Sequence, residues 1–386
     1  MIVEIRGAQF ANQGAHLMLL GVLERLHARR PDLEVALAPG PNSPYRARAL
    51  LGTWQKLQLR KGSLDLTRAG YALPRSVDAA LARYGMVTEA RVDAVLDISG
   101  FAYGDRWGGR PLEAVAAELG RFHRYGKRYL FLPQAFGPFT PSRAASRFGA
   151  ALWQATLVCA RDEESLEHLL ALPEARGAAI SRWPDLTLGV RGDPAAAVRW
   201  HVDASCALII PNVRMLDSGP QAGVWRRDYL QVLLALAAEC RRQGLTAKVV
   251  NHAGREDAAL CAALASDAGG LEVIDEPQPR ALKGVIGAAG VVISSRYHGC
   301  VSALSQGVAC LGTSWSHKYG ALFADFGLDS WLARPDVPAA VSTLSALLAQ
   351  GPRLSPAAMG RRDELVARVE RLWDEVFRVL PVEPAA

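Results

Sequence analysis

The chain has 386 residues, half of them hydrophobic, with a mean hydropathy of +0.07 and a formal net charge of +6. That length exceeds one ordinary core and predicts two globular domains. A membrane-spanning class is excluded because no run of about 18 apolar residues occurs. Met1-Ile2-Val3-Glu4-Ile5-Arg6 enters directly into a strand, without the apolar stretch of a signal peptide, so a cytoplasmic protein is expected.

The elements alternate between strand and helix, which predicts parallel sheets with helices on both faces. Ile2–Arg6 reads as a strand, and Gly14–Arg29 as a helix with Leu17, Leu20, Leu23 and Leu26 at helical spacing. The loop between them, Gly7 to Gly14, is not Gly-x-Gly-x-x-Gly, so NAD is not indicated. Residues 41–91 hold nine Arg/Lys against Asp65, Asp78 and Glu89, which accounts for the whole net charge. This basic insertion reads as a solvated helical segment. The alternative is peripheral contact with an acidic membrane, at its inner face, or with a lipid-diphosphate acceptor. Nucleic acid is not an expected partner, because no stacking aromatic–basic motif accompanies the charge.

Strands follow at Val92–Ile98, Tyr129–Leu132 and Leu157–Ala160, each ending in a polar or glycine-rich turn. Gly100 lies in the first of these turns, with Asp105 and Trp107 just beyond it. Gly189-Val190-Arg191-Gly192-Asp193-Pro194 is punctuated as an interdomain linker. A second α/β unit then runs through strands at Ala207–Ile210, Ala247–Asn251, Leu271–Ile274, Val291–Ile293 and Val308–Gly312. Helices are expected at Tyr229–Gln243 and Gly299–Gln306. Arg362–Leu380 is amphipathic, with Leu365, Val369, Leu372, Val376 and Leu380 in one stripe, and is expected to pack back on the domains. The expected organisation is an N-terminal domain over 1–190, a C-terminal domain over 205–350, and a helix and tail over 355–386. The six cysteines are scattered without a Cys-x-x-Cys pair and read as reduced core residues.

Chemistry concentrates at the strand ends of the second unit: Asn212 and Arg214 after one strand, His252 after another, Arg296 and His298 after a third, then Ser314, His317 and Lys318. In a parallel sheet these ends share one edge, where ligands bind. Cations and a histidine there suit a phosphate or carboxylate undergoing proton transfer. The alternative for His298 and Arg296 is a helix-capping histidine and an arginine paired on the surface. No carboxylate–histidine ligand pattern accompanies the cluster, so no metal is expected.

The same stretches resemble the polysaccharide pyruvyl transferase family, from Asn12-x-Gly14 to about Leu328. The marks are Ser295-Arg296-Tyr297-His298, Ser314-x-x-x-Lys318, Leu132-Pro133-Gln134-Ala135-Phe136-Gly137-Pro138, Ala160-Arg161-Asp162-Glu163-x-Ser165 and Pro184-Asp185. The resemblance implies two doubly wound Rossmann-like domains facing a cleft, as in glycosyltransferase-B folds. It implies phosphoenolpyruvate as donor substrate, a glycan or lipid-linked glycan as acceptor in cell-surface polysaccharide synthesis, a ketal product and no cofactor. By resemblance His298 is the principal acid/base, while Arg296 and Lys318 hold the donor and Arg161 is an anion clamp from the first domain. Asn12 and Gly14 contact the acceptor, with a tight turn as the alternative; Gly100 and Ser314 are further substrate contacts, as are Asn212 and Arg214, with strand-end structure as the alternative, and His252 and His317, with a local hydrogen bond as the alternative. One departure stands out: the family's Asn-x-Gly-Asp reads Asn12-Gln13-Gly14-Ala15. The competing readings are a glycosyltransferase with a nucleotide-sugar donor and a non-catalytic sugar- or anion-binding protein. The sequence sets no oligomeric state.

Overall fold

The computed structural model describes residues 1–58, 60–61, 64–217, 222–314 and 316–380. Residues 59, 62 and 63 of the basic segment, 218–221, Trp315, and the tail from 381 lie outside the described residues. In chain order the strands are β1 (Ile2–Arg6), β2 (Glu34–Leu37), β3 (Trp54–Lys56), β4 (Arg60–Lys61), β5 (Leu64–Asp65), β6 (Met86–Val87), β7 (Ala94–Asp97) and β8 (Arg128–Gln134). They continue with β9 (Leu157–Ala160), β10 (Ile180–Arg182), β11 (Cys206–Ile210), β12 (Thr246–Val250), β13 (Val273–Ile274), β14 (Val291–Ser294) and β15 (Cys310–Gly312).

Contacts divide the chain into two units. The first holds residues 1–10, 18–186 and 370–386; the second holds 11–17 and 187–369. The first unit is built on an eight-stranded parallel sheet of order β10-β9-β8-β7-β1-β2-β3-β6, and the second on a five-stranded parallel sheet of order β13-β12-β11-β14-β15. Parallel strands covered on both faces must be apolar along their length. β11 (Cys-Ala-Leu-Ile-Ile) and β14 (Val-Val-Ile-Ser) are accordingly buried at every residue. In each sheet the order reverses once, between β1 and β7 in the first and between β11 and β14 in the second.

Three features differ from the sequence reading. The basic stretch does not stand apart as a helical insertion: β3 and β6 extend the large sheet, and Arg48 and Lys56 are buried. These strands are too short to show a period of two. Residues 189–194 are not a free linker. Gly192 packs so closely on the Pro279–Ala288 helix that a Cβ there would stand 2.6 Å from the Gly284 nitrogen, and the Asp193 N–H donates to the Arg280 carbonyl. The first helix, Gln13–Arg29, begins in the second unit and ends in the first. The last helix, Pro356–Val379, also ends in the first unit, where Arg25 pairs with Glu370 and Arg29 with Asp374. All six cysteines are buried and free. Among the described residues no helix is long and apolar enough to cross a membrane.

Candidate active site

In an open α/β sheet, ligands bind beyond the carboxyl ends of strands flanking the reversal in strand order. In the second unit those ends are Pro211–Asn212 after β11 and Ser295–His298 after β14. The Ser295 turn is fastened from four directions. Its carbonyl accepts from Asn212 Nδ2 at 2.9 Å and from the Tyr319 hydroxyl at 2.7 Å. Its Oγ accepts from the Tyr229 hydroxyl at 2.6 Å and from Thr313 Oγ1 at 2.7 Å. Asn212 thus acts on the turn that delivers Arg296 and His298. Tyr229, Thr313 and Tyr319 are its partners, and the sequence reading missed them.

The helix after β14 is Tyr297–Leu304, two residues earlier than expected, so His298 lies in its first turn. Arg296 is the N-cap and provides no side-chain cap, and Ser316 likewise leaves the His317–Phe326 helix uncapped by its side chain. First-turn N–H groups that no side chain satisfies make a favourable setting for an anion.

His298 is half-buried and packs edge-on to Tyr297, with ring centroids 5.3 Å apart. Gly14 also lies against it. A Cβ on Gly14 would stand 2.7 Å from His298 Cβ and nearer still to the imidazole ring. Glycine is therefore required for the imidazole to sit where it does. The Asn12–Gly14 motif, expected at the acceptor, belongs with His298 in the second unit. Asn12 Oδ1 accepts from the Gly14 and Ala15 N–H groups at 3.0 and 3.3 Å, which makes it the cap of the first helix.

His252 follows β12 and is 3% exposed. Burial foremost, then the charges of Arg296 and His298, push its pKa down to about 3, so the ring is neutral. Its Nδ1 is buried with no hydrogen-bond partner among the described residues, and the same is true of Gln13 Oε1. The Gln13 N–H donates to the His252 carbonyl at 3.3 Å, and Gln13 Nε2 donates to the Glu276 carbonyl at 3.1 Å. His16, in the same helical turn as Gly14, has its pKa lowered by burial. Gln13 and His16 were not singled out in the sequence; they belong to the second unit because the first turn of their helix joins it.

Two of the expected cations, Arg296 and Arg214, are paired with carboxylates. Arg296 is 7% exposed and donates through Nε and Nη2 to both oxygens of Asp257, with Nη2 also 3.3 Å from Glu256. Burial lowers its pKa, but the Asp257 bonds and charge outweigh that and the net direction is up. Arg214 pairs with Glu256 at 2.7 Å and Asp217 at 3.5 Å. A guanidinium removed from water needs a carboxylate partner, and Glu256 and Asp257 after β12 supply it. Lys318, 9% exposed, lies with Nζ 5.3 Å from the Tyr297 ring centroid and 5.8 Å from that of Tyr319. Ser314 Oγ donates to the Ser316 carbonyl, and His317 is half-buried at the start of its helix.

Arg161 and Gly100 lie in the first unit. Arg161 is 3% exposed and its guanidinium pairs with Asp185 at 3.0 Å, with Nη2 3.4 Å from the Gly100 carbonyl. Asp105 ties its loop to a distant one, accepting from the Thr140 N–H and hydroxyl, and Trp107 is exposed. Among the described residues no group of three or more His, Cys, Asp or Glu side chains converges to hold a metal ion.

Residues 12–317 match the polysaccharide pyruvyl transferase family. The chain belongs to the polysaccharide pyruvyl transferase family. Membership makes it a polysaccharide-modifying transferase. No curated protein sequence matches the chain. Among solved structures it is similar to a glycosyltransferase from Rickettsia africae ESF-5, with 11% identity, TM-score 0.58, and 98% of this chain and 97% of that one covered. It is similar to the UDP-GlcNAc 2-epimerase from Methanocaldococcus jannaschii, with 10% identity, TM-score 0.58, and 96% and 100% covered. A sucrose-phosphate synthase from Thermosynechococcus elongatus follows, with 14% identity, TM-score 0.52, and 98% and 99% covered. Those likenesses show the fold: two doubly wound α/β domains of glycosyltransferase-B type, as the sequence predicted.

Proposed function

We propose that this pyruvyl transferase family member moves the pyruvyl group of phosphoenolpyruvate onto two hydroxyls of a glycan, leaving a cyclic ketal and inorganic phosphate. The observation that carries the reading is the seating of His298, half-buried, in the first turn of an uncapped helix at the strand-order reversal, on a glycine that leaves it room.

The chemistry balances through proton transfers that an imidazole can serve. The donor's methylene carbon takes a proton and becomes a methyl group. A sugar hydroxyl bonds to C2 and gives up its proton, the C2–O bond to phosphate breaks, and a second hydroxyl closes the ring with loss of its proton. Of the two protons released, one balances that taken by the methylene carbon and one leaves with phosphate. His298 is assigned the transfer at carbon. His252, held neutral, is a hydrogen-bonding neighbour able to accept. The donor's anionic groups fall to Lys318 and the first-turn N–H groups of the two uncapped helices. Arg296, gripped by Asp257, contributes field and the edge of its guanidinium outside those bonds.

Phosphate release from phosphoenolpyruvate, measured with a lipid-linked glycan as acceptor, tests the reading. Release that depends on the acceptor supports it. Turnover of a sugar nucleotide with release of its nucleoside diphosphate, and none of phosphoenolpyruvate, would replace it with the glycosyltransferase alternative.

A further inference from the structure

The apolar side of the Arg75–Arg83 helix is largely uncovered. The helix has 9 residues, and none of them is buried. So short a helix is marginal in water by itself and draws its stability from packing an amphipathic face. Val77, Ala80, Leu81 and the C-cap Tyr84 follow the spacing of such a face. Leu81 is half-buried, but Val77 and Ala80 are exposed and Tyr84 is 78% exposed.

The Tyr45–Leu50 helix lies on the same side of the large sheet. It connects β2 to β3, the Arg75–Arg83 helix falls between β3 and β6, and the strand order β1-β2-β3-β6 advances in one direction. Right-handed crossovers between parallel strands then put both helices on one face. Tyr45 is 68% exposed and Leu50 79%. Among the described residues, five of the eleven large hydrophobic side chains left exposed (Tyr45, Leu50, Leu66, Val77 and Tyr84) fall in this short stretch. Such a concentration marks an interaction surface, whereas scattered ones need no explanation.

Charge narrows the partner. Arg46, Arg68, Arg75 and Arg83 are exposed in the same stretch, the last two at the ends of their helix. Asp78 of that helix is half-buried, and Glu89 is buried and held by Arg121. A second copy of the chain, docked by the same face, would set these arginines against their own counterparts. Anionic lipid answers both properties: arginines meet its headgroups, tyrosines suit the boundary between water and acyl chains, and leucine and valine reach the acyl side.

We propose that the face formed by the Tyr45–Leu50 and Arg75–Arg83 helices docks the protein on an anionic lipid bilayer. The proposal is independent of the donor and acceptor readings, since vesicle binding is measured without either substrate.

The test is co-sedimentation of the full chain with phosphatidylglycerol–phosphatidylcholine vesicles and with vesicles of phosphatidylcholine alone, at low and high salt. Binding is expected to the mixed vesicles, weaker by roughly tenfold or more without phosphatidylglycerol and falling with salt. Leu50→Ser with Tyr84→Ser, and separately Arg75→Glu with Arg83→Glu, should each weaken it roughly tenfold or more. Leu170→Ser with Val198→Ser, which removes exposed apolar side chains elsewhere, should leave it unchanged. All these positions are exposed, and urea melts like that of the wild type would confirm folding. Failure of the folded wild type to bind the mixed vesicles overturns the proposal, as does binding that survives both pairs of changes on the proposed face. Self-association that the Leu50→Ser and Tyr84→Ser pair abolishes, without vesicle binding, overturns it in favour of a second copy.

Discussion

At the scale of single residues the account turns on His298 and what it touches. His298→Ala should leave the fold intact and lower turnover by roughly 10²–10⁴, the usual contribution of a positioned acid/base group; unchanged turnover would remove the assignment. Gly14→Ala places a methyl group against that ring. It should cost about 1–3 kcal/mol of stability, as overpacking does, and lower turnover as well, both readable from urea melts and a phosphate assay. Asp257 has the opposite role, since it neutralises Arg296 and touches no substrate in this reading. Asp257→Ala removes both short bonds of a buried guanidinium, leaving it the 3.3 Å contact with Glu256, and should destabilise the protein by about 3–5 kcal/mol. A urea midpoint like that of the wild type would show that the pair is not formed. Of these contacts the sequence made only the chemistry legible. Ser295-Arg296-Tyr297-His298 and Lys318 could be picked out because apolar strands end there. The pairing of Arg296 with Asp257 could not, because nothing in the order of residues says which loop turns back on which strand.

At the scale of elements the strands of the second unit were readable, being apolar runs with abrupt polar ends. β11 was placed within one residue, and β14 from its Val-Val-Ile core. The helix after β14 was misplaced by two residues because its N-cap is an arginine, which gives none of the usual capping signals. The first helix was read correctly and assigned to the wrong neighbours: a continuous helix carries no mark where it passes from one unit to the next. The last helix buries Trp373 almost fully in the first unit. Trp373→Ala should cost about 3–5 kcal/mol, whereas Glu370→Ala, which removes a partly exposed ion pair with Arg25, should cost under about 1 kcal/mol. Equal losses from the two would mean that packing does not hold this helix.

At the scale of the whole molecule, charge and protonation decide the working range. In the unfolded chain His252 takes up a proton near its ordinary pKa of 6.5, whereas the folded ring resists until about 3. Stability is therefore lost as the pH falls below 6.5, by up to about 1.4 kcal/mol per pH unit from this group. His252→Gln should flatten that part of the slope in urea melts between pH 5 and 7; parallel slopes for the two proteins would show the ring to be accessible. The net charge of +6 was legible, but its placement was not, because β3 and β6 bring part of the basic stretch into the sheet and bury Lys56 among carboxylates. The most direct measurement is inorganic phosphate released from phosphoenolpyruvate by the wild-type chain and by His298→Ala, with and without a glycan acceptor. The account predicts acceptor-dependent release by the wild type and a loss of at least a hundredfold in the variant. Release that ignores the acceptor, or that survives the substitution, would contradict it.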